Sequence, residues 1–362
     1  MERAIQPENF KRTIVKQVIF ISVESNEEYL QKKQELLATA SDYFDFLPPT
    51  SIISQVPENG SLALELTTIE NPESWGISYR KNETASWLVL KRCDVKMIFA
   101  CGFGEAHENA NFLDESNSAF RSLESVLKEE ELNFSDIIRQ WNYIEQITKN
   151  VNCNNSLSQH YQIFNDVRSK YYQKANFVNG FPAATGIGQD FGGIIIDIIA
   201  FKSDSKISII PIKSPVQLDA YSYTKEVLAE NNSMSDFCRT SPKFERAKLL
   251  TINNCNCVFV SGTAAIKGQA SIPEVSVEVQ TEMTIRNILS LISQENIKNH
   301  GVESNENVKL KFLRVYVKYA NDISAVRIVC QNYFPQISAI YLVADICRPE
   351  LLVEIEGFAI LK

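Results

Sequence analysis

The chain has 362 residues, of which 36 are Lys or Arg and 44 are Asp or Glu, for a formal net charge of −8. With 44% apolar and 22% charged side chains, the composition is that of a globular protein and excludes a disordered, collagenous or coiled-coil chain. The acidic balance argues against nucleic acid or an anionic membrane as the main partner, and the length suggests two domains at about 150 residues each.

In chain order, residues 1–16 mix Glu2, Arg3, Glu8, Lys11 and Arg12, with no apolar run behind a basic cluster, which is not the pattern of a secretory signal. Apolar stretches such as 192–201 fall far short of the ~20 residues that span a bilayer. Eight cysteines scattered singly then read as reduced thiols of a cytoplasmic protein. Residues 1–85 carry Pro48-Pro49, Pro57 and Pro72 and predict strands and turns rather than a long helix.

Beyond that segment the chain repeats itself. In the first block the apolar spacing predicts a strand over 96–102, a helix over 119–131, a strand over 136–144, a helix over 157–174 and a closing strand over 193–201. In the second block the same order runs over 257–262, 279–293, 309–317, 322–334 and 351–358. Asp197 and Glu354 are expected at matching places in the closing strands. The fold class is therefore α+β, with copies at 86–205 and 247–362. A connection, 206–246, holds Ser214-Pro215 and Ser241-Pro242.

Few side chains suggest chemistry. Glu354 and Glu356 alternate with Val353 and Ile355, so both acids share one face of their strand. That face is either solvent on an amphipathic edge strand or a polar pocket. Arg348, six residues ahead, is placed to hold a carboxylate in a fork of two hydrogen bonds. A Glu354 carboxyl shielded from water would keep its proton to higher pH and serve as a general acid. Cys347, beside Arg348, is either a thiol biased toward thiolate by that cation or a small buried hydrophobe. The glycine-rich run 186–193 leads into a strand, not a helix, which rules it out as a phosphate loop.

Three histidines, His107, His160 and His300, stand in polar stretches and offer neither a triad nor a metal centre. Cys255 and Cys257 lack a second pair and read as core thiols. Arg139, Trp141 and Tyr143 alternate on one strand face. Arg168 lies on a helix, and Tyr221 and Arg246 flank the connection. Nothing in their spacing gathers these residues into one site.

Residues 255–362 resemble the RidA/YjgF family in Phe259-Val-Ser-Gly262, the Gln280-Thr281 helix start, Ala344-Asp-Ile-Cys-Arg348 and Val353-Glu-Ile-Glu356. The resemblance implies a chorismate-mutase-like α+β unit that forms trimers with sites between subunits. Over nearly its whole length the chain is similar to the chorismatases, which release pyruvate from chorismate. The similarity lies in Arg139-Gln-Trp-Asn-Tyr143, Phe181-Pro-Ala-Ala-Thr-Gly-Ile-Gly188, Ser214-Pro-Val-Gln217, Ser241-Pro-Lys-Phe-Glu-Arg-Ala247 and Ser261-Gly-Thr-Ala-Ala265.

That resemblance implies RidA-like units joined in one chain. Together with the N-terminal segment they would form a pseudo-trimer, as a monomer or small homo-oligomer. The first copy has Ala184–Gly188 where the second has Asp-Ile-Cys-Arg, and it would wall the site of the second copy. It further implies chorismate as the small-molecule substrate and no metal or organic cofactor. Arg168, Arg246 and Arg348 would hold the two carboxylates, with Tyr221 as a hydroxyl donor and Glu354 as the acid. Family members differ in product at the small residue after Ser-Gly-Thr, here Ala264 (or Ala265), and at the position before the arginine, here Cys347. The cysteine leans to 3-hydroxybenzoate, whereas alanine in place of glycine leans to hydrolysis to a dihydroxycyclohexadiene carboxylate; 3-hydroxybenzoate is the favoured product. The alternatives are a RidA-like imine/enamine hydrolase, which would not need the arginine and tyrosine motifs outside the RidA-like block, and a non-catalytic binder of small acids, which chorismate or a benzoate would stabilise without turnover.

Overall fold

A computed structural model of the chain describes residues 12–82, 85–104, 111–153, 156–204, 207–224, 239–252, 255–302 and 308–361. His107 and residues 225–238 of the expected connection lie outside the described residues, as does the side chain of Cys255.

The first segment contains β1 (Arg12–Ile21), α1 (Asn26–Ser41), β2 (Thr50–Ile53), β3 (Val56–Pro57) and β4 (Leu62–Glu70). Here the expectation of strands and turns is corrected by α1, a helix of 16 residues. Ser25 caps its start: the Glu28 N–H donates to Ser25 Oγ at 3.1 Å, and Glu28 Oε2 reaches back to accept from the Glu24 N–H at 2.7 Å. Pro48, Pro49, Pro57 and Pro72 lie beyond this helix.

The second segment contains β5 (Gly76–Lys81), β6 (Ser86–Arg92), β7 (Val95–Phe103), α2 (Phe112–Glu129) and β8 (Ile137–Glu145). It continues with the hairpin β9 (Asn150–Cys153) and β10 (Ser156–Gln159), then α3 (His160–Tyr172), β11 (Ala183–Gln189) and β12 (Ile194–Ser203). These strands make a six-stranded sheet in the order β11-β8-β12-β7-β6-β5. Because β5 pairs with β6, the sheet begins ahead of residue 86, and the expected boundary after residue 85 cuts it.

The third segment contains β13 (Ile209–Ile212), β14 (Ala247–Ile252), β15 (Cys255–Ala264), the small ladder β16 (Ile266–Lys267) and β17 (Ala270–Ser271), and α4 (Val277–Leu291). The short helix α5 (Gln294–Asn299), β18 (Lys309–Val317), α6 (Ile323–Tyr333), β19 (Ser338–Val343) and β20 (Val353–Leu361) complete it. The sheet order is β13-β14-β15-β20-β18-β19-β3. The expected connection 206–246 thus supplies β13, which pairs with β14. Helix α4 starts ahead of Gln280, where Ser276 caps it by accepting from the Val279 N–H.

One unit occurs in all three segments. A central strand (β1, β8 or β18) is followed by a helix (α1, α3 or α6), then by a parallel strand on one side and an antiparallel strand on the other. In the two wide sheets a further antiparallel strand (β7 or β15) pairs with the closing strand. The helices cover the outer faces. Phe120, Leu123, Leu127, Phe164 and Val167 pack on the six-stranded sheet, and Ile285, Ile288 and Val326 on the seven-stranded one. Each such side chain contributes about 1.5–3 kcal/mol when fully buried.

The inner faces of the three sheets meet in a shared core, in which Ile19 and Phe20 of β1 pack with Tyr143 and Ile195 and with Tyr316 and Leu342. Charges are buried at this junction. Lys16 pairs with Asp197 at 3.0 Å, Arg139 with Glu356 at 2.6 Å, and Arg314 with both Glu356 at 3.1 Å and Glu65 at 2.5 Å. The Trp141 ring lies 4.0 Å from Lys16 Nζ, 4.6 Å from the Arg139 guanidinium and 5.4 Å from that of Arg314, so a cation from each of the three central strands faces one indole.

Strand register corrects one expected match. Asp197 stands opposite Trp141 on β8, and Glu356 opposite Arg314 on β18. Both acids also face a register shift in the neighbouring strand, at β7 and β15 respectively. Asp197 therefore corresponds to Glu356. The counterpart of Glu354, which is opposite Tyr316, is Ile195, opposite Tyr143.

Candidate active site

A cavity of about 670 Å³ lies between the two wide sheets. One wall comes from the second segment: Tyr161, Gln162 and Asn165 on α3, with Ala184 and Gly186 on β11. The facing wall comes from the third segment: Arg246, Gly262, Ala264, Cys347, Arg348 and Glu354. Strand β20 lies in the middle of its sheet, so Glu354 and Glu356 point into the junction between sheets and not to solvent.

The junction is stitched at Ser261-Gly262, where β15 bulges. Ser261 Oγ accepts from the Ala184 N–H at 2.9 Å and donates to the Glu245 carbonyl at 2.6 Å. Thr185 Oγ1 accepts from the Gly262 N–H at 3.0 Å and from Arg139 Nη2 at 2.7 Å, and donates to Glu356. A Cβ on residue 262 would collide with Glu354 Oε1 and lie 3.1 Å from Thr185 Cγ2. Glycine is required here by close approach, since its space is filled by the carboxyl group.

Residues 344–352 form the lip of the cavity, and Gln280 secures them. Its amide nitrogen donates to the Glu350 carbonyl at 3.0 Å, and its oxygen accepts from the Leu352 N–H at 2.8 Å. Arg348 Nη1 donates to the Gln269 carbonyl at 2.9 Å and to Ser271 Oγ at 3.0 Å. Arg246 is buried, and its Nη2 donates to the Leu218 carbonyl at 2.7 Å and to Tyr223 Oη at 2.5 Å. The Tyr223 ring also lies 5.2 Å from the Arg348 guanidinium. Among the described residues, neither Arg246 nor Arg348 has a carboxylate at ion-pair distance, so their charges are available to an anion in the cavity.

Glu354 is 5% exposed. Burial and the negative charge of Glu356 push its carboxyl up to about 8, against the opposing pull of Arg139 and Arg246. Glu356 has the contrary state: burial works to raise it, but Arg139, Arg314 and donors from Thr185 and Trp141 hold it below the usual carboxylate range. Burial followed by the charge of Glu354 pushes the Cys347 thiol up to about 12, against the pull of Arg348. Cys347 is thus a neutral thiol at neutral pH, which favours the small-hydrophobe reading of this residue over the cation-favoured thiolate. Burial also raises the Tyr161 hydroxyl, leaving it a proton donor in the hydrogen-bonding sense.

The chain matches the family described as chorismatase FkbO/Hyg5-like, N-terminal, over residues 73–200. It is 31% identical over 266 residues to the 3-hydroxybenzoate synthase of Streptomyces hygroscopicus, covering 72% of this chain and 73% of that protein. The chain belongs to the chorismatase family. A chorismatase of Streptomyces hygroscopicus is 27% identical over 256 residues, covering 69% of this chain and 68% of that one. A chorismatase crystal structure superposes with a TM-score of 0.73 at 21% identity, covering 98% of this chain and 95% of that one, so the chorismatase fold is shared.

Of the residues singled out in the sequence, the structure brings Glu354, Cys347, Arg348, Arg246 and Ala264 to this chorismatase cavity. Ala264, not Ala265, is the lining residue, and its carbonyl accepts from Asn287 Nδ2 at 3.0 Å. Tyr221 is placed elsewhere: its hydroxyl donates to Asp219 Oδ2 at 2.9 Å and its ring packs on Phe181, while Tyr223, two residues on, takes the cavity position. Arg168 stands behind the wall, where its Nη2 donates to Asn165 Oδ1 at 2.5 Å and its guanidinium lies 5.6 Å from the Phe164 ring.

Sequence reasoning missed Tyr161, Gln162 and Asn165. Their signal was available, because α3 places Gln162, Asn165 and Ser169 at helical spacing on a buried face, where apolar side chains are the rule. The stretch 184–188 proves to be β11, the equivalent of β19. The first copy therefore lacks the whole lip: β11 reaches β12 through residues 190–193 alone. Among the described residues no group of three or more His, Cys, Asp and Glu is placed to hold a metal ion, and no helix is long and apolar enough to cross a membrane.

Proposed function

We propose that the chain cleaves the enolpyruvyl ether of chorismate and releases pyruvate, with 3-hydroxybenzoate as the other product. The observation that carries this reading is a buried, protonated carboxyl facing a cavity that also holds two cations without carboxylate partners. Chorismate is a dianion, and Arg246 and Arg348 supply the matching charges, with Tyr223 fixed between them. With both carboxylates held, the enolpyruvyl methylene carbon is brought against Glu354.

Glu354 then donates its proton to that carbon, turning the methylene into a methyl group and leaving an oxocarbenium ion at the ether carbon. A ring hydroxyl or water captures the cation and returns a proton to Glu354, and collapse of the adduct expels pyruvate. The ring then breaks one C–O bond and gives up a ring proton to become aromatic, losing as water any water it had taken up. The pair 3-hydroxybenzoate and pyruvate contains the atoms of chorismate with no water added, whereas the dihydroxycyclohexadiene carboxylate requires one water. The apolar, neutral Cys347 thiol beside Glu354 and the name of the S. hygroscopicus relative support 3-hydroxybenzoate.

We read the two wide sheets as RidA/YjgF-like copies, with the N-terminal segment as a shorter third unit in a pseudo-trimer. The recurrence of central strand, helix, parallel strand and antiparallel strand supports this reading. The cavity is built within one chain, which is consistent with a monomer.

Purified protein incubated with chorismate should release pyruvate, and chromatography of the mixture should find 3-hydroxybenzoate. Glu354→Gln should lower kcat by ~10²–10⁴-fold with the melting temperature retained. Pyruvate no faster than spontaneous breakdown would sink the proposal, and the diene diol acid as the ring-containing product, with no 3-hydroxybenzoate, would overturn the product assignment.

A further inference from the structure

We propose that Glu356 is a positioning residue for the proton donor: locked as a carboxylate between the sheets, it keeps the neighbouring Glu354 carboxyl in its protonated form. The inference rests on Glu354 as the proton donor proposed above and adds what maintains that proton.

The two carboxyl groups share one face of β20 with Cα atoms about 6–7 Å apart, yet their surroundings are opposite. Glu356 accepts from Arg139 Nη2 at 2.6 Å, Trp141 Nε1 at 2.8 Å and Thr185 Oγ1, and Arg314 Nη1 lies 3.1 Å from its other oxygen. With donors on both oxygens and two guanidinium groups at contact distance, that carboxylate has no room for a proton. No hydrogen bond from any described residue reaches Glu354, whose carboxyl opens into the cavity. A carboxyl buried without donors, beside a fixed negative charge, favours the neutral acid.

Other charged and titratable groups face Glu354 as well. Arg139 approaches from β8, Arg246 from the start of β14, Cys347, Arg348 and Glu350 from the lip, and Tyr161 from α3. Arg139 is committed to Glu356 and Thr185, and Arg246 to Leu218 and Tyr223. Cys347 and Tyr161 are neutral. Glu356 is the nearest fixed anion on the strand itself, and it adds to the effect of burial.

The six-stranded sheet separates the two acids' duties. There Asp197 occupies the place of Glu356 and is likewise fixed, by Lys16, by Ser51 Oγ at 2.5 Å and by the Gly102 N–H at 3.1 Å. The place of Glu354 is filled by Ile195. A locked anion opposite the bulge is thus part of both sheets, and only the third segment sets a second carboxyl beside it.

The test is a pair of titrations. In the unaltered protein labelled with carboxyl-¹³C glutamate, with Glu354→Gln and Glu356→Asp identifying the signals, the Glu354 carbon should titrate near pH 8. The Glu356 carbon should remain a carboxylate throughout the range in which Glu354 titrates. A Glu356 carbon that takes up its proton at or above the pH where Glu354 does overturns the inference, and this arm needs no variant of Glu356 to be active. In kinetics, the alkaline fall in kcat/KM should move to lower pH by about one unit or more in Glu356→Gln, and should stay in place in Glu356→Asp. A lower rate with the fall unmoved in Glu356→Gln would mean a purely structural role. Retained activity in Glu354→Gln would instead defeat the proton-donor reading, while the labelled-carbon titration still decides whether Glu356 governs the Glu354 proton.

Discussion

The two wide sheets of this chorismatase-family chain share a strand order, a bulge and a locked acid, yet only one carries a candidate proton donor. At the position opposite the buried tyrosine, the six-stranded sheet has Ile195 and the seven-stranded sheet Glu354. Between their last two strands, one has residues 190–193 and the other the lip 344–352 with Cys347 and Arg348. A repeated scaffold thus becomes a site through one substitution on a strand and one longer loop. The other copy serves as the opposing wall.

That comparison can be broken from either side. The largest effect is expected where the carboxyl has its space: Gly262→Ala puts a Cβ against Glu354 Oε1 and should lower kcat by about 10²-fold or more, on the scale of losing a positioned acid. Retained turnover would show that the carboxyl does not need its present position. Next is Ile195→Glu, which makes the six-stranded sheet imitate its partner. Ile195 is 3% exposed, and an added carboxyl there lacks both a lip and a free cation. Urea melts should show a loss of about 3–5 kcal/mol, the scale of an uncompensated buried charge, with no gain in pyruvate release; an active variant of unchanged stability would mean that the substitution alone makes a site.

The smallest effect is expected on the lip. Arg348→Ala removes one charge-assisted contact worth about 1.5–3 kcal/mol, so KM for chorismate should rise roughly 10–150-fold, while kcat changes less. An unchanged KM would move the carboxylate contacts to Arg246 alone.

Much of the third segment was legible in the sequence because its functional residues are close together. Cys347, Arg348, Glu354 and Glu356 fall within ten positions, and alternation on a strand placed both acids on one face. The pairing of Asp197 with Glu354 failed because the second closing strand begins at Val353 and not at residue 351: counted from the observed starts, Ile194 and Val353, Asp197 and Glu356 both stand fourth. Tyr221 was the hydroxyl donor expected from the sequence, but Asp219 engages it locally and Tyr223, two residues on, reaches the cavity instead. Arg168 was expected to bind substrate, but the helix turn that buries it puts Asn165 in front. Helix α1 was concealed by Pro48, Pro49, Pro57 and Pro72, which lie after it, although its N-cap signal, Ser25 with an acid three residues on at Glu28, was present.

The three strand-helix-strand-strand units also have a consequence for how such a protein can change. In a ring of three identical chains, every substitution at the centre appears three times at once, and a lone carboxyl beside a lone cation pair could not arise without its two copies. With the units in one polypeptide, Lys16, Arg139 and Arg314 meet around Trp141 as separately encoded residues. Each position can drift independently. The proposed site is therefore asymmetric by sequence alone, and no symmetry between subunits has to be broken to set a carboxyl beside its cations.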